Sequence, residues 1–211
     1  TITGGNNTGD GGAFYVDYGT LKIKGGNITG NKAKYGGAIY INDMDDAFVY
    51  ISGGKIYGNT AEEGGAIYAN NGYLYVDGGE ITGNTAEYGG GIYWDSLNVA
   101  YYTGGKIYGN TATEEGGGIY VDGYKDMCFG GDIQIKDNTN GNVYEDALTI
   151  YNCCGQDGSP NKPLRDGAYI GISSSEINDI LTAYNSCFNV GDFEYFHSDS
   201  SSYFIRSVYN P

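Results

Sequence analysis

Basic residues are scarce in this chain. Its 211 residues include 11 Lys and Arg against 26 Asp and Glu, which gives a formal net charge of −15 at pH 7. Nucleic acids and anionic membranes attract basic surfaces, so neither is an expected partner. No apolar run approaches the ~18 residues that a membrane-spanning helix requires, so we expect no membrane insertion in this segment.

Glycine, in contrast, is abundant, and it marks a repeat. Related blocks start at Gly25 (GGNITGNKAKYGGAIYI), Gly53 (GGKIYGNTAEEGGAIYA), Gly78 (GGEITGNTAEYGGGIYW) and Gly104 (GGKIYGNTATEEGGGIYV). The unit lengths are 28, 25 and 26 residues, and a degenerate copy starts 26 residues later at Gly130. A period this short is typical of a solenoid.

Each unit holds three short apolar runs that alternate with polar residues, which predicts strands. Three strands cannot bury an apolar face alone, so neighbouring units must stack about 4.8 Å apart with parallel pairing. We therefore predict an all-β, right-handed parallel β-helix with three strands and about 26 residues per coil.

Stacking turns equivalent positions into columns, and alternation predicts which columns face inward. Ile28, Ile56, Ile81, Ile107 and Ile133 are expected inside on the first strand of each unit. Phe14, Ile39, Ile67, Ile92, Ile119 and Val143 are expected inside on the second strand, and Ile23, Ile51, Val76, Tyr102 and Cys128 on the third.

Regular repetition ends near residue 155. We predict a β-helix over residues 1–155 and a C-terminal β cap over 156–211 that covers the last coil, because an open solenoid edge invites aggregation. Residues 193–196 and 203–208 read as a hairpin around a serine-rich turn. Ile177, Ile180, Leu181 and Tyr184 have helical spacing, which predicts a short helix over the last coil.

Four cysteines occur, and their placement favours disulfides. Cys153 lies one period of 25 residues after Cys128, and stacked Cα atoms about 4.8 Å apart suit a disulfide. Cys154 and Cys187 would form a second pair. Free thiols and a zinc site are the alternatives, although adjacent Cys153 and Cys154 lack the usual CxxC spacing of zinc ligands.

Two polar columns invite a functional interpretation. Asn31, Asn59, Asn84, Asn110 and Asn138 stand in one column, where stacked amides normally bond to backbone and to each other, so we expect a structural ladder. Asp17, Asn42, Asn70, Asp95 and Asp122 follow the second strand and could collect calcium. Since Asp and Asn are also ordinary turn residues, we expect no cofactor, with calcium as the open alternative.

Acidic turns raise the question of glycosidase activity. Glu62, Glu63, Glu87, Glu114 and Glu115 lie in repeated turns, and adjacent coils bring carboxylates close together. A solvated acidic edge is the simpler interpretation, because stacked like charges repel. His197, the only histidine, belongs to no recognisable catalytic motif. No catalytic residues are therefore assigned, and we expect no enzyme.

The chain contains more tyrosine residues than the fold requires. Alternation points Tyr15, Tyr40, Tyr68, Tyr93, Tyr120 and Tyr144 outward on the second strand, and Tyr50, Tyr75 and Tyr101 outward on the third. Such rows stabilise a sheet through cross-strand aromatic pairs. They are also good contact surfaces for sugars or proteins, which makes both columns candidate ligand-binding residues.

The motifs GGAIY and IxGN resemble repeats of chlamydial polymorphic outer-membrane proteins, with Ile at 28, 56, 81 and 107 in place of Phe. The string ITGNTAxxGGGIY is similar to the β-helix repeats of adhesin-like surface proteins of anaerobic gut bacteria and archaea. This resemblance implies an extracellular, cell-surface or secreted location.

We expect a non-catalytic adhesin or surface scaffold whose Tyr-rich face meets a glycan, a protein or neighbouring copies of itself. The alternative is a carbohydrate-active β-helix enzyme, either a polysaccharide lyase or a glycoside hydrolase. Ice binding is disfavoured, because Tyr57 and Tyr108 interrupt the column of Thr29 and Thr82.

Overall fold

A computed structural model describes residues 1–42, 46–123, 125–144, 148–152, 164, 168–172, 182–183 and 196–198. These residues form a parallel β-solenoid of about 5 turns with ~26 residues per turn, as the period predicted. They contain no helix, and hence none long and apolar enough to cross a membrane.

Two large sheets run along the solenoid. The first contains β1 (Ile2–Thr3), β3 (Gly19–Thr29), β5 (Ala47–Tyr57), β7 (Tyr73–Thr82), β10 (Ala100–Tyr108), β13 (Lys125–Phe129), β14 (Gln134–Lys136), β16 (Leu148–Asn152), β17 (Tyr169–Ile172), β18 (Thr182–Ala183) and β19 (Phe196–Ser198). The second contains β2 (Phe14–Val16), β4 (Ile39–Ile41), β6 (Ile67–Ala69), β9 (Ile92–Trp94), β12 (Ile119–Val121) and β15 (Val143–Tyr144). We number coils 1 to 6 by these six strands in chain order.

A smaller third sheet pairs β8 (Thr85–Tyr88) with β11 (Thr111–Glu115). All the strand pairs of the described residues are parallel. This uniform direction is what a coil that advances by one strand spacing per turn requires.

The first sheet differs in one respect from the three separate strands predicted for each unit. The third run of one unit and the first run of the next form a single long strand, with register shifts around the glycine pair in its middle. At Gly54, with φ +87, an added Cβ would lie 2.8 Å from the backbone of Gly25 and Gly26. Glycine is needed there both for the positive φ and for the close approach of two coils.

The second-strand interior column is confirmed. Phe14, Ile39, Ile67, Ile92, Ile119 and Val143 pair in sequence from β2 to β15. The three central members, Ile67, Ile92 and Ile119, have no exposed surface. Full burial of such a side chain contributes about 1.5–3 kcal/mol, which makes this column a main source of stability.

The other two interior columns hold through coil 4 and then slip. Ile107 pairs with Ile135 rather than with the predicted Ile133, and Tyr102 pairs with Phe129 rather than with Cys128. The reason is a shifted corner: Gly130 directly follows Phe129, whereas Thr103 separates Tyr102 from its own glycine pair. Coil 5 has one residue fewer than coil 4 between the strand and the glycine pair, which shifts the third-strand column by one position. It has two residues more between the glycine pair and the isoleucine that joins the first-strand column, which shifts that column by two positions.

Coil 4 has the bulkiest interior. Trp94 and Tyr102 are fully buried, and the Trp94 Nε1 and Tyr102 hydroxyl atoms have no hydrogen-bond partner among the described residues. Burial alone raises the pKa of Tyr102 far above the ordinary value of tyrosine. Each unpaired polar atom costs about 1–3 kcal/mol of desolvation, which the apolar contacts of the two rings must offset.

Parallel pairing continues beyond residue 155. β16 pairs with β18, and β17 pairs with β19, so strands of the expected cap region stack on the last coils. The predicted helix is not confirmed, because Thr182 and Ala183 at its centre form β18, while the four residues that suggested it lie outside the described residues. The second half of the hairpin, 203–208, also lies outside them, and the boundary at 155/156 stays a prediction.

Candidate functional site

The asparagine column forms a continuous hydrogen-bonded ladder. Each Nδ2 donates to the Oδ1 of the asparagine in the next coil: Asn31 to Asn59 (3.0 Å), Asn59 to Asn84 (3.0 Å), Asn84 to Asn110 (2.9 Å) and Asn110 to Asn138 (3.0 Å). The backbone N–H of each also donates to the same Oδ1. Asn59, Asn84 and Asn110 have no exposed surface, which leaves these three amides no route to a ligand.

The tyrosine ladder, defined as Tyr15, Tyr40, Tyr68, Tyr93, Tyr120 and Tyr144, runs along the outer face of the second sheet. Consecutive ring centroids lie between 4.9 and 5.6 Å apart. Most neighbouring rings are nearly parallel, with an angle of 3° between Tyr40 and Tyr68, although Tyr93 and Tyr120 are tilted by 31°. The ring faces therefore cover one another, and a ligand meets ring edges and hydroxyl groups.

Exposure along this ladder is uneven. Tyr15 at the first coil is 50% exposed, but Tyr40 is 7% and Tyr93 is 9% exposed. Burial, with Asp95 and Glu63 next in effect, raises the pKa of Tyr68 well above the ordinary range, and burial followed by Asp122 does the same for Tyr93. The outward direction of these side chains therefore predicts a greater accessibility than Tyr40 and Tyr93 have.

A second layer of tyrosines packs against two rings of the ladder, Tyr68 and Tyr120. Tyr35 packs against Tyr68 with ring centroids 5.2 Å apart, and Tyr88 packs against Tyr120 at 5.3 Å. Both residues belong to a turn column that alternates acid and tyrosine: Asp10, Tyr35, Glu63, Tyr88 and Glu115. Strand alternation does not point to these two tyrosines, and the sequence signal for them is their fixed position just before the second glycine pair of units 1 and 3.

On the other side of the ladder lie the residues considered for calcium. Asn42 Nδ2 donates to Asp17 Oδ1 at 2.6 Å, and Asn70 Nδ2 donates to Asn42 Oδ1 at 3.4 Å. The Tyr93 hydroxyl donates to Asp122 Oδ2 at 3.3 Å. Within the described ranges, no group of three or more His, Cys, Asp or Glu side chains is arranged to hold a metal ion. These hydrogen bonds all join residues of the solenoid to one another.

The acidic turn residues separate into two groups. Glu62, Glu87 and Glu114 are exposed, whereas Glu63 and Glu115 are half-buried in the column that contains Tyr35 and Tyr88. Burial, followed by the charge of Asp122, raises the pKa of Glu63. His197 lies far along the chain in β19, where its ring stacks on Tyr169 with centroids 4.0 Å apart.

The third-strand tyrosines belong to a wider group, which we call the aromatic patch: Phe48, Tyr50, Tyr73, Tyr75 and Tyr101. Tyr50 and Tyr75 stack at 4.5 Å, Tyr75 and Tyr101 at 4.8 Å, and Phe48 and Tyr73 at 4.9 Å, all within 10° of parallel. All five rings are partly exposed on one sheet face. Burial, then neighbouring Tyr50 and Tyr101, raises the pKa of Tyr75 to about 12.

The outer column of the first strand carries charge. Lys55 Nζ lies 3.1 Å from Glu80 Oε2, and the Tyr108 hydroxyl donates to the same oxygen at 2.9 Å. The Lys55 ammonium also lies 5.6 Å from the ring centroid of Tyr57. Tyr57 pairs with Thr82, and Thr82 with Tyr108, so tyrosine and threonine alternate there as the sequence predicted.

Cys128 is disulfide-bonded and almost fully buried, although its register places it beside Tyr101 in an outward column. Cys153, Cys154 and Cys187 lie outside the described residues. The specific pairs Cys128–Cys153 and Cys154–Cys187 therefore stay predictions.

Comparison with known proteins gives one match. Residues 55–70 and 106–122 match the model of the Chlamydia polymorphic membrane protein repeat. A search of curated proteins and a search of solved structures found no match. The matched segments are the first-strand, asparagine and GGAIY or GGGIY parts of two coils, the same residues on which the resemblance was based.

Both the repeat match and the β-solenoid confirm that resemblance. Together they indicate a surface protein. The chain is a β-solenoid, and two of its coils contain segments similar to the Chlamydia polymorphic membrane protein repeat.

Proposed function

We propose that this chain is a non-catalytic extracellular adhesin or surface-scaffold module that holds a glycan, a protein or a neighbouring copy against its tyrosine-rich faces. The observation that carries the proposal is the aromatic patch, in which five partly exposed rings occupy adjacent positions on three parallel strands. Contiguous apolar patches that reach the surface commonly mark interaction sites.

The stacking of the rings favours a particular mode of contact. Because ring faces are covered by their neighbours, the patch offers ring edges and a row of hydroxyl groups at intervals of about 4.5–4.8 Å, set by the ring spacing. Stacked rings have little side-chain entropy left to lose on binding. An extended ligand lying along the solenoid axis would meet several hydroxyl groups at once.

The absence of catalysis is part of the proposal. Glu62, Glu87 and Glu114, which raised the question of glycosidase activity, are exposed at the surface of turns. His197 is stacked on Tyr169 rather than placed beside these carboxylates. These positions support a binding surface over an acid–base pair held around a substrate.

Two triple variants of the aromatic patch test the proposal. Changing Tyr50, Tyr75 and Tyr101 to Phe keeps the stacked rings and removes the hydroxyl groups, whereas changing them to Ser removes both. Binding to a glycan array and to immobilised surface proteins should fall at least about tenfold in the Phe variant, since each lost hydrogen bond contributes about 0.5–1.5 kcal/mol. The Ser variant should lose binding and some stability as well.

Circular dichroism and a polysaccharide-degradation assay accompany the binding measurements. Unchanged binding by both variants would reject the aromatic patch as the contact surface. Release of new reducing ends or unsaturated products by the unmodified chain would reject the non-catalytic proposal. Sedimentation of the unmodified chain separates self-association from binding to a different partner.

A further inference from the structure

A pair of packed tyrosines occurs at two places on the solenoid, the first formed by Tyr35 and Tyr68 and the second by Tyr88 and Tyr120. Tyr35 packs on Tyr68 at 5.2 Å, and two coils later Tyr88 packs on Tyr120 at 5.3 Å. Tyr35 and Tyr88 occupy the same column, with Glu63 between them. Each is thus an internal copy of the other, and differences around the two rings can be compared directly.

At the first place, the protein supplies its own cation. The Lys34 Nζ lies 4.8 Å from the ring centroid of Tyr35, which is cation–π distance. Its bond with Tyr35, and the charges of Glu62 and Glu63, raise the pKa of Lys34. The first place shows how an ammonium group sits on this ring beside carboxylates.

At the second place, that lysine is replaced by an acid. The backbone bonds Glu62 N–H to Lys34 O and Glu87 N–H to Glu62 O put Glu87 in the column of Lys34. No Lys or Arg of the described residues lies over the Tyr88 ring. Desolvation followed by surrounding carboxylates raises the pKa of Tyr88, and those carboxylates are Glu114, Glu87, Glu115 and Glu63.

We infer that Tyr88 and its surrounding glutamates form a receptor site for a Lys or Arg side chain of a basic partner polypeptide, in the place that Lys34 takes on Tyr35. This inference rests on the proposed binding function and names the partner class for one surface. The ring and carboxylates match an ammonium or guanidinium group better than a metal ion, since aromatic rings are not metal ligands.

Charge favours the same partner. The chain has a net charge of −15, so a basic polypeptide is attracted from a distance before it reaches Tyr88. The partner is a polypeptide rather than a free amine, because the internal copy of the site is filled by a side chain carried on an adjacent stretch of backbone. A basic segment lying along the turn column would present its side chain in the same manner.

A reciprocal exchange of the two places tests the inference. Glu87→Lys gives Tyr88 its own cation and should weaken the binding of an oligolysine peptide about tenfold at low ionic strength. Lys34→Glu vacates the first place and should add a second site, seen as a doubled stoichiometry in calorimetric titration. Asp46→Lys is the control, because it makes the same charge change as Glu87→Lys at an exposed position in another corner.

The outcomes separate a site from general charge attraction. Less than twofold weakening by Asp46→Lys, beside about tenfold weakening by Glu87→Lys, supports the site. Equal weakening by both variants overturns it, as does a wild-type chain that fails to bind oligolysine in preference to an oligoglutamate peptide. Failure of the proposed function would show in the aromatic-patch variants instead, because their tyrosines lie on the first sheet whereas Tyr88 lies on the third.

Discussion

Two interior columns run through the solenoid, one made mostly of isoleucine and one made of asparagine, and they are stabilised in opposite ways. Ile67, Ile92 and Ile119 are fully buried among apolar side chains. Asn59, Asn84 and Asn110 are equally buried, yet every amide has partners in neighbouring coils. A repeated buried position tolerates either chemistry, provided that the column is consistent from coil to coil.

The difference lies in what each column specifies. Apolar contacts are non-directional, so the isoleucine column contributes energy but tolerates small shifts. The asparagine column accepts only one register, because each Oδ1 must receive both the N–H and the Nδ2 of the residue in the preceding coil. Regularity of the coils is therefore fixed by the polar column and stabilised by the apolar one.

Placing a charge in the apolar column should have the largest effect. Ile92→Asp would bury a carboxylate with no partner, and we expect the domain to unfold, since the cost is several kcal/mol or more. Loss of the β-type circular dichroism signal checks this. Ile92→Val is the matched control and should cost only about 0.5–1.5 kcal/mol. Full stability of the aspartate variant would contradict the inward orientation.

Interrupting the polar column should have the next largest effect. Asn84→Ala removes the buried acceptor of the Asn59 backbone N–H and of one N–H of the Asn59 Nδ2, and it removes the Nδ2 that donates to Asn110 Oδ1, which keeps only the backbone N–H of residue 84. Each unpaired group costs about 1–3 kcal/mol, so we expect a loss of roughly 3 kcal/mol or more, measured by denaturant unfolding. The exposed neighbour Thr85→Ala should change stability by less than about 0.5 kcal/mol. Similar losses in the two variants would mean that the ladder contributes little.

The smallest effect is expected outside both columns, at the ion pair of Glu80 and Lys55. The bonds from Lys55 and Tyr108 lower the pKa of Glu80, so its contribution is present above the unfolded-state pKa and is lost as the pH falls through the folded-state pKa. The pair is more than one-third exposed, and solvent screens it. Glu80→Gln should shift the melting temperature by less than about 2 °C at pH 7, and the difference should shrink as the pH falls below the unfolded-state pKa of glutamate. A larger shift would mean that this surface ion pair stabilises the fold to an extent comparable with burial.

Sequence periodicity was sufficient wherever the repeat is regular. It predicted the fold, and it placed Ile39, Ile67, Ile92 and Ile119 in one interior column. It failed at coil 5, where Gly130 follows the strand directly and Phe129 and Ile135 take positions expected for Cys128 and Ile133. A corner that changes length moves every later residue, and a single sequence does not show where the length has changed.

The candidate site was less predictable than the fold. Alternation correctly gave the stacked order of Tyr40, Tyr68 and Tyr93, because direction follows from the strand alone. Exposure depends on what packs across the strand, and here turn residues Tyr35 and Tyr88 do so. Such contacts join residues about 30 positions apart in different coils, as with Tyr35 and Tyr68, and strand periodicity carries no information about them.

The asparagine amides all point the same way, with each Nδ2 directed at the following coil. Aligned amide dipoles add, as they do along an α-helix, and hydrogen bonds in a chain polarise one another. The asparagine column therefore has a net dipole along the solenoid axis. A coil inserted in reverse would face donor against donor, so the axis can grow only with the same polarity from one coil to the next.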